Sequence, residues 1–349
     1  MSIVGAFDVH RRQITFDWVD RDTGETRTGQ IAPATREMLR AWLEALPSRK
    51  GAFAVEGCTG WRFVAEELQA AGFAAHVAEP AETAHLRGPK RRAKTDRADA
   101  RHARQLLEQG RLPCSWIPPA HILDLRTLVR LRKTLADERT CWQQRIHALL
   151  FHHGLPKPAQ DLLSRETREW LSQVELPAAS HQALILGLDR IDQALCQLDP
   201  LERWLRAYAR RQPGCRALIA SHYGIGGLTA PTILAELGDA RRFRNGDAVV
   251  RYTGLDVTVY SSDGKRSRGH LAKQGPPVLR WALFESAQCA ARASSPDFAH
   301  YTQVKSRIDG NRAALTVARK LVRRVRHTLI ALGDAALAPV TDLALPAAV

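Results

Sequence analysis

The sequence lacks three features that mark whole classes of protein: a long apolar run, paired cysteines and an N-terminal leader. Without a long apolar run or an amphipathic anchor, nothing favours a membrane protein. The six cysteines are scattered and form no Cys-x-x-Cys pair, which argues against a zinc site or a disulfide framework. The first residues do not show the basic and then apolar arrangement of a signal peptide. We therefore expect a protein of the reducing cytoplasm.

Positive charge, by contrast, is in excess. The chain has 349 residues, and its 51 lysines and arginines against 36 aspartates and glutamates give a net charge of +15. The length allows two or three domains, and 45% hydrophobic with 25% charged residues is typical of a globular protein. Such a charge favours a polyanionic partner, and nucleic acid fits better than a membrane surface. A basic enzyme unrelated to nucleic acid is the alternative.

The first third of the chain predicts three strands followed by alternating helices and strands. Apolar or alternating stretches indicate the strands, with a polar turn at His10-Arg11-Arg12, and amphipathic periodicity indicates the helices. The predicted strands are 3–9, 13–19, 25–31, 52–55 and 73–78, and the predicted helices are 33–46, 61–71 and one that begins near Asp96. This order predicts a mixed α/β sheet covered by helices.

Four acids at the ends of these elements predict a metal site. Asp8 in the first strand and Glu56 at the end of the fourth meet at one sheet edge if the two strands are neighbours. Asp96 and Asp99 stand three apart in a helix for which Thr95 is a plausible N-cap, so both project from one face. Carboxylates so close repel each other unless a cation lies between them, and Mg²⁺ prefers such oxygens. We expect a two-metal phosphoryl-transfer site using Mg²⁺, or Mn²⁺ in its place, although an acidic first turn favoured by the helix dipole is the simpler explanation of the Asp96 pair.

The middle of the chain predicts two long helices after a proline-rich boundary at 111–119. Leucines recur at three- and four-residue steps over 121–153 and again over about 183–210. Two such helices suggest an antiparallel hairpin or a dimerisation coiled coil, and an intramolecular spacer is the alternative. Further helices are predicted at 278–293 and 312–332.

The stretch 222–238 places a glycine turn between two helical segments. One helix ends near Ser221, Gly224 to Gly226 form the turn, and 228–237 resume a helix. This is the form of a helix-hairpin-helix, in which Gly224 and Gly226 let backbone N–H groups reach a phosphate. An ordinary turn between core helices is an equal alternative.

Two basic stretches predict further contacts with phosphates. One precedes the Asp96 helix and consists of Arg87, Lys90, Arg91, Arg92 and Lys94. The other accompanies two serines within 252–280 and consists of Lys265, Arg266, Arg268, Lys273 and Arg280. The second stretch is either a basic loop that touches phosphates or a loop in which a nucleophilic serine lies among cations that stabilise a pentacoordinate phosphate.

Together these stretches resemble the DEDD transposases of bacterial insertion sequences. These are relatives of the Piv/MooV DNA invertases and include bridge-RNA-guided serine recombinases. The resemblance covers residues 3 to about 332, and its motifs are FDVH, VEGCTG, KTDRADAR, YGIGGLTAPTILAELGD and the segment from GLDVTVYSSDGK to LRWAL. It implies a RuvC-like (RNase H-fold) domain at 1–112, a helical coiled-coil linker at 113–212, a mainly helical transposase domain at 213–335 and a flexible tail at 336–349.

The resemblance also implies roles for residues. Asp8, Glu56, Asp96 and Asp99 would hold the metal, and a serine would attack DNA. Counting forward from Tyr260 points to Ser262, and counting back from Gly264 leaves Ser261 open.

The implied partners are donor and target DNA and a structured guide RNA, bound by a homodimer or homotetramer. Two other functions compete with this recombinase. One is a RuvC-like junction nuclease in which water attacks, and the other is a degenerate, non-enzymatic nucleic-acid-binding protein.

Overall fold

The computed structural model of the chain describes residues 2–87, 95–156, 158, 161–258, 261–262, 265–266 and 269–345. For 261, 262, 265 and 266 it describes the backbone alone. The chain divides into two compact units, Met1–Ile117 and Pro118–Val349. Within the described ranges, no helix is both long and apolar enough to span a bilayer, and the six cysteines are free thiols.

The first unit contains a six-stranded mixed sheet and four helices in its described residues. Its elements are β1 (Ile3–Val9), β2 (Ile14–Asp20), β3 (Thr26–Ile31), α1 (Arg36–Glu44), β4 (Gly51–Glu56), α2 (Trp61–Ala70), β5 (Ala74–Ala78), α3 (Pro80–His85), α4 (Asp96–Glu108) and β6 (Cys114–Ser115). The strand order is β3-β2-β1-β4-β5-β6, with β1 antiparallel to β2 and parallel to β4. The predicted mixed α/β sheet is confirmed, while α3 and β6 are elements that the sequence patterns did not predict.

The two faces of this sheet are covered differently. On one face the aromatic rings of Phe7 and Phe53 stack 5.0 Å apart, in a core shared with α1 and α2. On the other face Ala6 and Ala54 pack against Ala103 of α4. Because side chains alternate along a strand, Asp8 follows Ala6 on the α4 face, and Glu56 follows Ala54. Alanines on this face keep α4 close to the acids.

The second unit is helical. Its helices are α5 (Ala120–His152), α6 (Arg165–Gln173), α7 (Ala178–Arg211), α8 (Pro213–Ser221), α9 (Thr229–Leu237), α10 (Gly246–Tyr252), α11 (Pro277–Gln288), α12 (Phe298–Lys305) and α13 (Gly310–Ala331). A small antiparallel pair, β7 (Ser261–Ser262) and β8 (Lys265–Arg266), lies between α10 and α11. The long helices predicted near 121–153, 183–210 and 312–332 are confirmed, whereas α6, α10 and α12 were not predicted.

The two long helices α5 and α7 pack along each other as an antiparallel pair. Near the end of α5, Ile146 lies beside Gly187 in the first half of α7. At the opposite end, Leu125 and Val129 of α5 share a core with Leu205 of α7. This is the antiparallel hairpin that the leucine periodicity suggested.

The last residues of the second unit contact these helices. The Gln212 side-chain amide donates to the carbonyl oxygen of Ala336 at 2.8 Å, and Trp204 Nε1 donates to that of Ala344 at 2.7 Å. Of the segment 336–349 that was assigned to a tail, residues 346–349 lie outside the described residues. The four predicted segments and the three boundaries between them stay predictions.

Candidate active site

Asp8 and Glu56 come to the same edge of the sheet. The parallel register of β1 and β4 pairs Phe7 with Val55, so the two acids occupy the next position of each strand. Asp8 is 5% exposed and Glu56 is partly buried. The expected neighbourhood of the two strands therefore holds, and it brings two carboxylates together on the face that α4 covers.

The start of α4 adds the other two acids. Thr95 is the N-cap, with its Oγ1 accepting a hydrogen bond from the Ala98 backbone N–H at 3.3 Å. The helix begins at Asp96, as predicted, and Asp96 and Asp99 lie in its first turn. A capped first turn fixes the direction of both carboxylates relative to the sheet.

Asp8 and Asp96 approach each other around a histidine. His10 Nε2 lies 3.3 Å from Asp8 Oδ2 and 3.6 Å from Asp96 Oδ1. One ligand atom from each of the three residues lies within 4.8 Å of the other two, an arrangement that can hold a metal ion. The sequence interpretation placed His10 in a turn and did not include it in the site. Its position two residues after Asp8, which gives the same side of an extended chain, is the signal that could have found it.

Glu56 and Asp99 lie on the other side of Asp8. Together with Asp8 they line a small cavity of about 70 Å³, whose wall also includes Arg87. A cavity of this size can hold a few water-sized ligands but not a nucleotide. Arg87 Nη1 forms an ion pair with Asp99 Oδ1 at 2.5 Å. The other three predicted acids thus lie around Asp8, two of them in this cavity and one across His10.

The electrostatics of the site reflect this crowding of carboxylates. Burial raises the pKa of Asp8 above its ordinary value. The charge of His10 opposes that shift, while the charges of Glu56 and Asp96 add to it. Gathering these acids costs free energy that a bound cation would recover, because a positive charge favours the ionised form of each carboxylate. The site therefore has the donors and the charge that suit a divalent metal.

A buried ion pair holds α4 on the sheet. Asp17 of β2 is 4% exposed and accepts from Arg104 Nε of α4 at 2.5 Å. Arg101 Nε donates to the other Asp17 oxygen at 3.3 Å. Sequence reasoning missed this contact, since Asp17 and Arg104 are 87 residues apart. The pair positions the helix that carries Asp96 and Asp99.

The two glycines of the predicted hairpin have different surroundings. Gly224 has φ +88°, and a Cβ there would lie 2.2 Å from the Ser286 carbonyl oxygen, so packing against α11 requires glycine. Gly226 is exposed, and no described atom lies within 4 Å of the position of a Cβ. Its N–H donates to Thr229 Oγ1 at 2.9 Å, at the start of α9. Gly226 is therefore exposed, but its N–H is already paired within the turn.

The serine pair lies in a small hairpin of the second unit. Its backbone register pairs Ser261 with Arg266 and Ser262 with Lys265. At the base of the hairpin, the Thr258 N–H donates to the His270 carbonyl oxygen at 2.9 Å. This topology brings two cationic positions directly opposite the two candidate nucleophiles.

The remaining predicted cations divide into three groups. Lys273 is exposed, with φ +55°, and its N–H donates to the Gly254 carbonyl oxygen at 3.2 Å. Arg280 is partly buried and donates to the Thr253 carbonyl oxygen at 3.0 Å, which supports the base of the loop. Lys90, Arg91, Arg92, Lys94 and Arg268 lie outside the described residues.

Two family models match the two regions just described. A model for DEDD transposases of the IS110 type matches residues 5–153, which include all four acids. A model described as Transposase IS116/IS110/IS902 family matches residues 216–303, which include Gly224, Gly226 and the serine pair. The chain belongs to this family of insertion-sequence transposases.

Curated relatives agree with this assignment. The transposase is 27% identical over 261 residues to the "Probable family 20 transposase" of Pseudomonas aeruginosa. The aligned region covers 73% of this chain and 74% of the relative. It is 25% identical to the transposase for insertion sequence element IS1328 of Yersinia enterocolitica, over 67% of this chain and 69% of the relative. It is 24% identical to the transposase for insertion sequence element IS1111A of Coxiella burnetii, over 74% and 71%.

The family assignment makes the transposase an enzyme that acts on DNA. DEDD transposases imply the use of a divalent metal, and the acids and histidine around Asp8 offer a suitable donor set. The predicted class, a transposase, is therefore confirmed, and the family agrees with the predicted use of a divalent metal.

Proposed function

We propose that this transposase cuts and rejoins the DNA of its insertion sequence through a serine nucleophile, assisted by Mg²⁺ in a RuvC-like site. The observation that carries the proposal is the gathering of Asp8, Glu56, Asp96 and Asp99 at one sheet edge. An antiparallel meander joined to parallel strands, in the order β3-β2-β1-β4-β5 with α4 across one face, supports the RuvC-like (RNase H-fold) assignment.

The four acids would hold the metal. Asp8 is the shared member, since it contacts the His10–Asp96 side and also lines the cavity with Glu56 and Asp99. When bound, Mg²⁺ neutralises charge that develops on a phosphate and lowers the pKa of an attacking hydroxyl. Arg87, which is 36% exposed beside Asp99, adds a cation that can meet the same phosphate.

Ser262 is the proposed nucleophile, and Ser261 is the alternative. The Ser262 Oγ loses its proton and attacks the phosphorus of a DNA phosphodiester, forming a bond from Oγ to phosphorus. The bond from phosphorus to the leaving sugar oxygen breaks, and that oxygen gains a proton. The phosphoserine link conserves the energy of the broken bond, so the reverse step can rejoin DNA without another energy source. Lys265 and Arg266, which pair with the serines in the backbone register, would offset the phosphate charge.

The proposed partners are donor DNA, target DNA and a structured guide RNA, bound by a dimer or tetramer. The net charge of +15 supports contacts with several phosphates. The guide RNA and the oligomer rest on the resemblance of the motifs. If a guide selects the target by base pairing, the protein needs to read only the backbone shape of the nucleic acid.

The experiment is a search for a covalent protein–DNA adduct that survives denaturation, with donor DNA, guide RNA and Mg²⁺ present. The wild type and Ser261→Ala should form the adduct, and Ser262→Ala should not. Asp96→Asn should abolish cleavage while DNA binding stays nearly intact. Mixing Ser262→Ala with Asp96→Asn protomers should restore some activity if two chains share a site.

Other outcomes separate the competing functions. Cleavage by Ser262→Ala at the wild-type rate, with no adduct in either protein, would replace the recombinase with a water-using nuclease. DNA binding without cleavage in the wild type would indicate a non-enzymatic binding protein. Full activity of Asp96→Asn in Mg²⁺ would remove the metal site.

A further inference from the structure

His10 stands where a cation would stand between two carboxylates. One ring nitrogen, Nε2, lies 3.3 Å from Asp8 Oδ2 and 3.6 Å from Asp96 Oδ1. These two acids come from different elements, a central strand and the first turn of α4. His10 therefore contacts two carboxylates, those of Asp8 and Asp96, and does not form a single ion pair.

The backbone fixes the position of His10. It follows directly after β1, and its N–H donates to the Gln13 carbonyl oxygen at 3.0 Å, which closes the turn into β2. The side chain is 53% exposed, so the ring can exchange one contact for another without unfolding the sheet. The imidazole is thus presented from a rigid strand end toward the acids of the site.

The distances are close to those of a metal centre. An octahedral ion with bonds of about 2.1 Å places neighbouring donor atoms about 3.0 Å apart. The two His10 distances exceed that value by a few tenths of an ångström, and the three donor atoms lie within 4.8 Å of one another. His10 and Asp96 are both about half exposed, so their side chains have room to rotate toward a shared ion.

We propose that His10 is a nitrogen ligand of the metal centre, which binds one ion through Asp8, His10 and Asp96. The inference rests on the metal-dependent function proposed above and extends the expected set of four acids. A mixed nitrogen and oxygen site binds Mn²⁺ and Co²⁺ better relative to Mg²⁺ than carboxylates alone do, because imidazole suits first-row transition metals and Mg²⁺ prefers oxygen.

A competing role for His10 makes a different prediction. If its ring merely replaces a cation while the metal is absent, metal and histidine compete for the same carboxylates. Removal of His10 would then leave metal affinity unchanged or increase it. A true ligand loses affinity when it is removed.

The test measures metal binding by the full-length protein, independently of DNA cleavage. Mn²⁺ binding is followed by electron paramagnetic resonance, with pulsed detection of the ¹⁴N coupling from a coordinated imidazole. We expect a ¹⁴N coupling in the wild type that His10→Ala abolishes, together with a fall in Mn²⁺ affinity of about tenfold or more. Mg²⁺ affinity, measured by calorimetry, should fall by less.

Two variants sharpen this test. His10→Asp supplies an oxygen donor and should bind Mg²⁺ at least as well as the wild type, without the ¹⁴N coupling. His152→Ala removes an exposed histidine of the helical unit and should change neither metal affinity nor spectrum. Circular dichroism confirms that each variant is folded.

The results distinguish a failure of this inference from a failure of the proposed function. If Asp8→Asn abolishes both Mn²⁺ binding and cleavage while His10→Ala keeps wild-type affinity, the metal site stands and His10 is not a ligand. A wild-type spectrum without ¹⁴N coupling also overturns the role of His10. If Asp8→Asn and Asp96→Asn both retain metal binding and cleavage, the proposed metal site itself is wrong.

Discussion

Replacing Arg104 by methionine tests how firmly α4 is held on the sheet. The substitution removes the main partner of Asp17, which is 4% exposed. Leaving a buried charge without its partner typically costs about 3–5 kcal/mol. Arg101 remains 3.3 Å from Asp17 and is 56% exposed, so we expect a loss of about 3 kcal/mol, at the lower end of that range.

Hydrogen exchange with mass spectrometry can localise this loss. Two compact units need not unfold as one transition, so the free energy of local opening is a better quantity than a global midpoint. Since about 1.36 kcal/mol corresponds to a tenfold change, a loss of 3 kcal/mol predicts roughly 150-fold faster exchange in peptides from β2 and α4. Peptides of the helical unit should exchange as in the wild type.

Two further variants show whether the buried charge is the cause. Arg101→Met removes the exposed contact with Asp17 and should cost less than about 1 kcal/mol. Replacing both buried partners, in Asp17→Leu with Arg104→Met, should restore most of the stability, because an apolar pair of similar volume does not need solvation. If exchange in α4 rises less than threefold in Arg104→Met, the ion pair does not hold the helix and the reasoning is refuted.

Three other predictions concern the helical unit and DNA. Gly224→Ala should lower the melting temperature of the helical unit, because the new Cβ would lie 2.2 Å from the Ser286 carbonyl oxygen. Gly226→Ala adds a Cβ in open space and should leave the melting temperature nearly unchanged. Equal melting temperatures for the two variants would contradict this difference. DNA affinity should fall steeply with salt, by roughly 0.9 logarithmic units per phosphate contact for each tenfold increase, and a flat titration would indicate a partner bound without charge. Burial, and then the charge of Arg324, lower the pKa of His222, so the stability due to its neutral ring is complete above about pH 6.5 and is lost as the pH falls. The melting temperature should fall less between pH 7 and pH 5 in His222→Gln than in the wild type. Identical pH profiles for the two proteins would show that the His222 ring does not contribute to the pH dependence of stability.

Several parts of this structure follow from local sequence alone. The strand, helix and turn order of the first unit is visible because apolar residues recur with a period of 2 or 3.6, and each period reflects the geometry of its own segment. The start of α4 follows from Thr95, because its side chain accepts a hydrogen bond from the backbone N–H of Ala98, three residues later. The short elements β6 and α3, with two and six residues, are too brief for any period to show.

The acidic site shows where local information ends. Sequence spacing alone placed Asp96 and Asp99 on one helix face, and the element order alone suggested that Asp8 and Glu56 share an edge. The role of Arg104 depends on Asp17, 87 residues earlier, and that of Gly224 on a carbonyl in α11. The sequence by itself determined the elements and the acids they carry, because those depend on neighbouring residues. Only the tertiary structure decided that His10 joins these acids and that a buried ion pair holds α4, because contacts between distant segments exist only once the chain has folded.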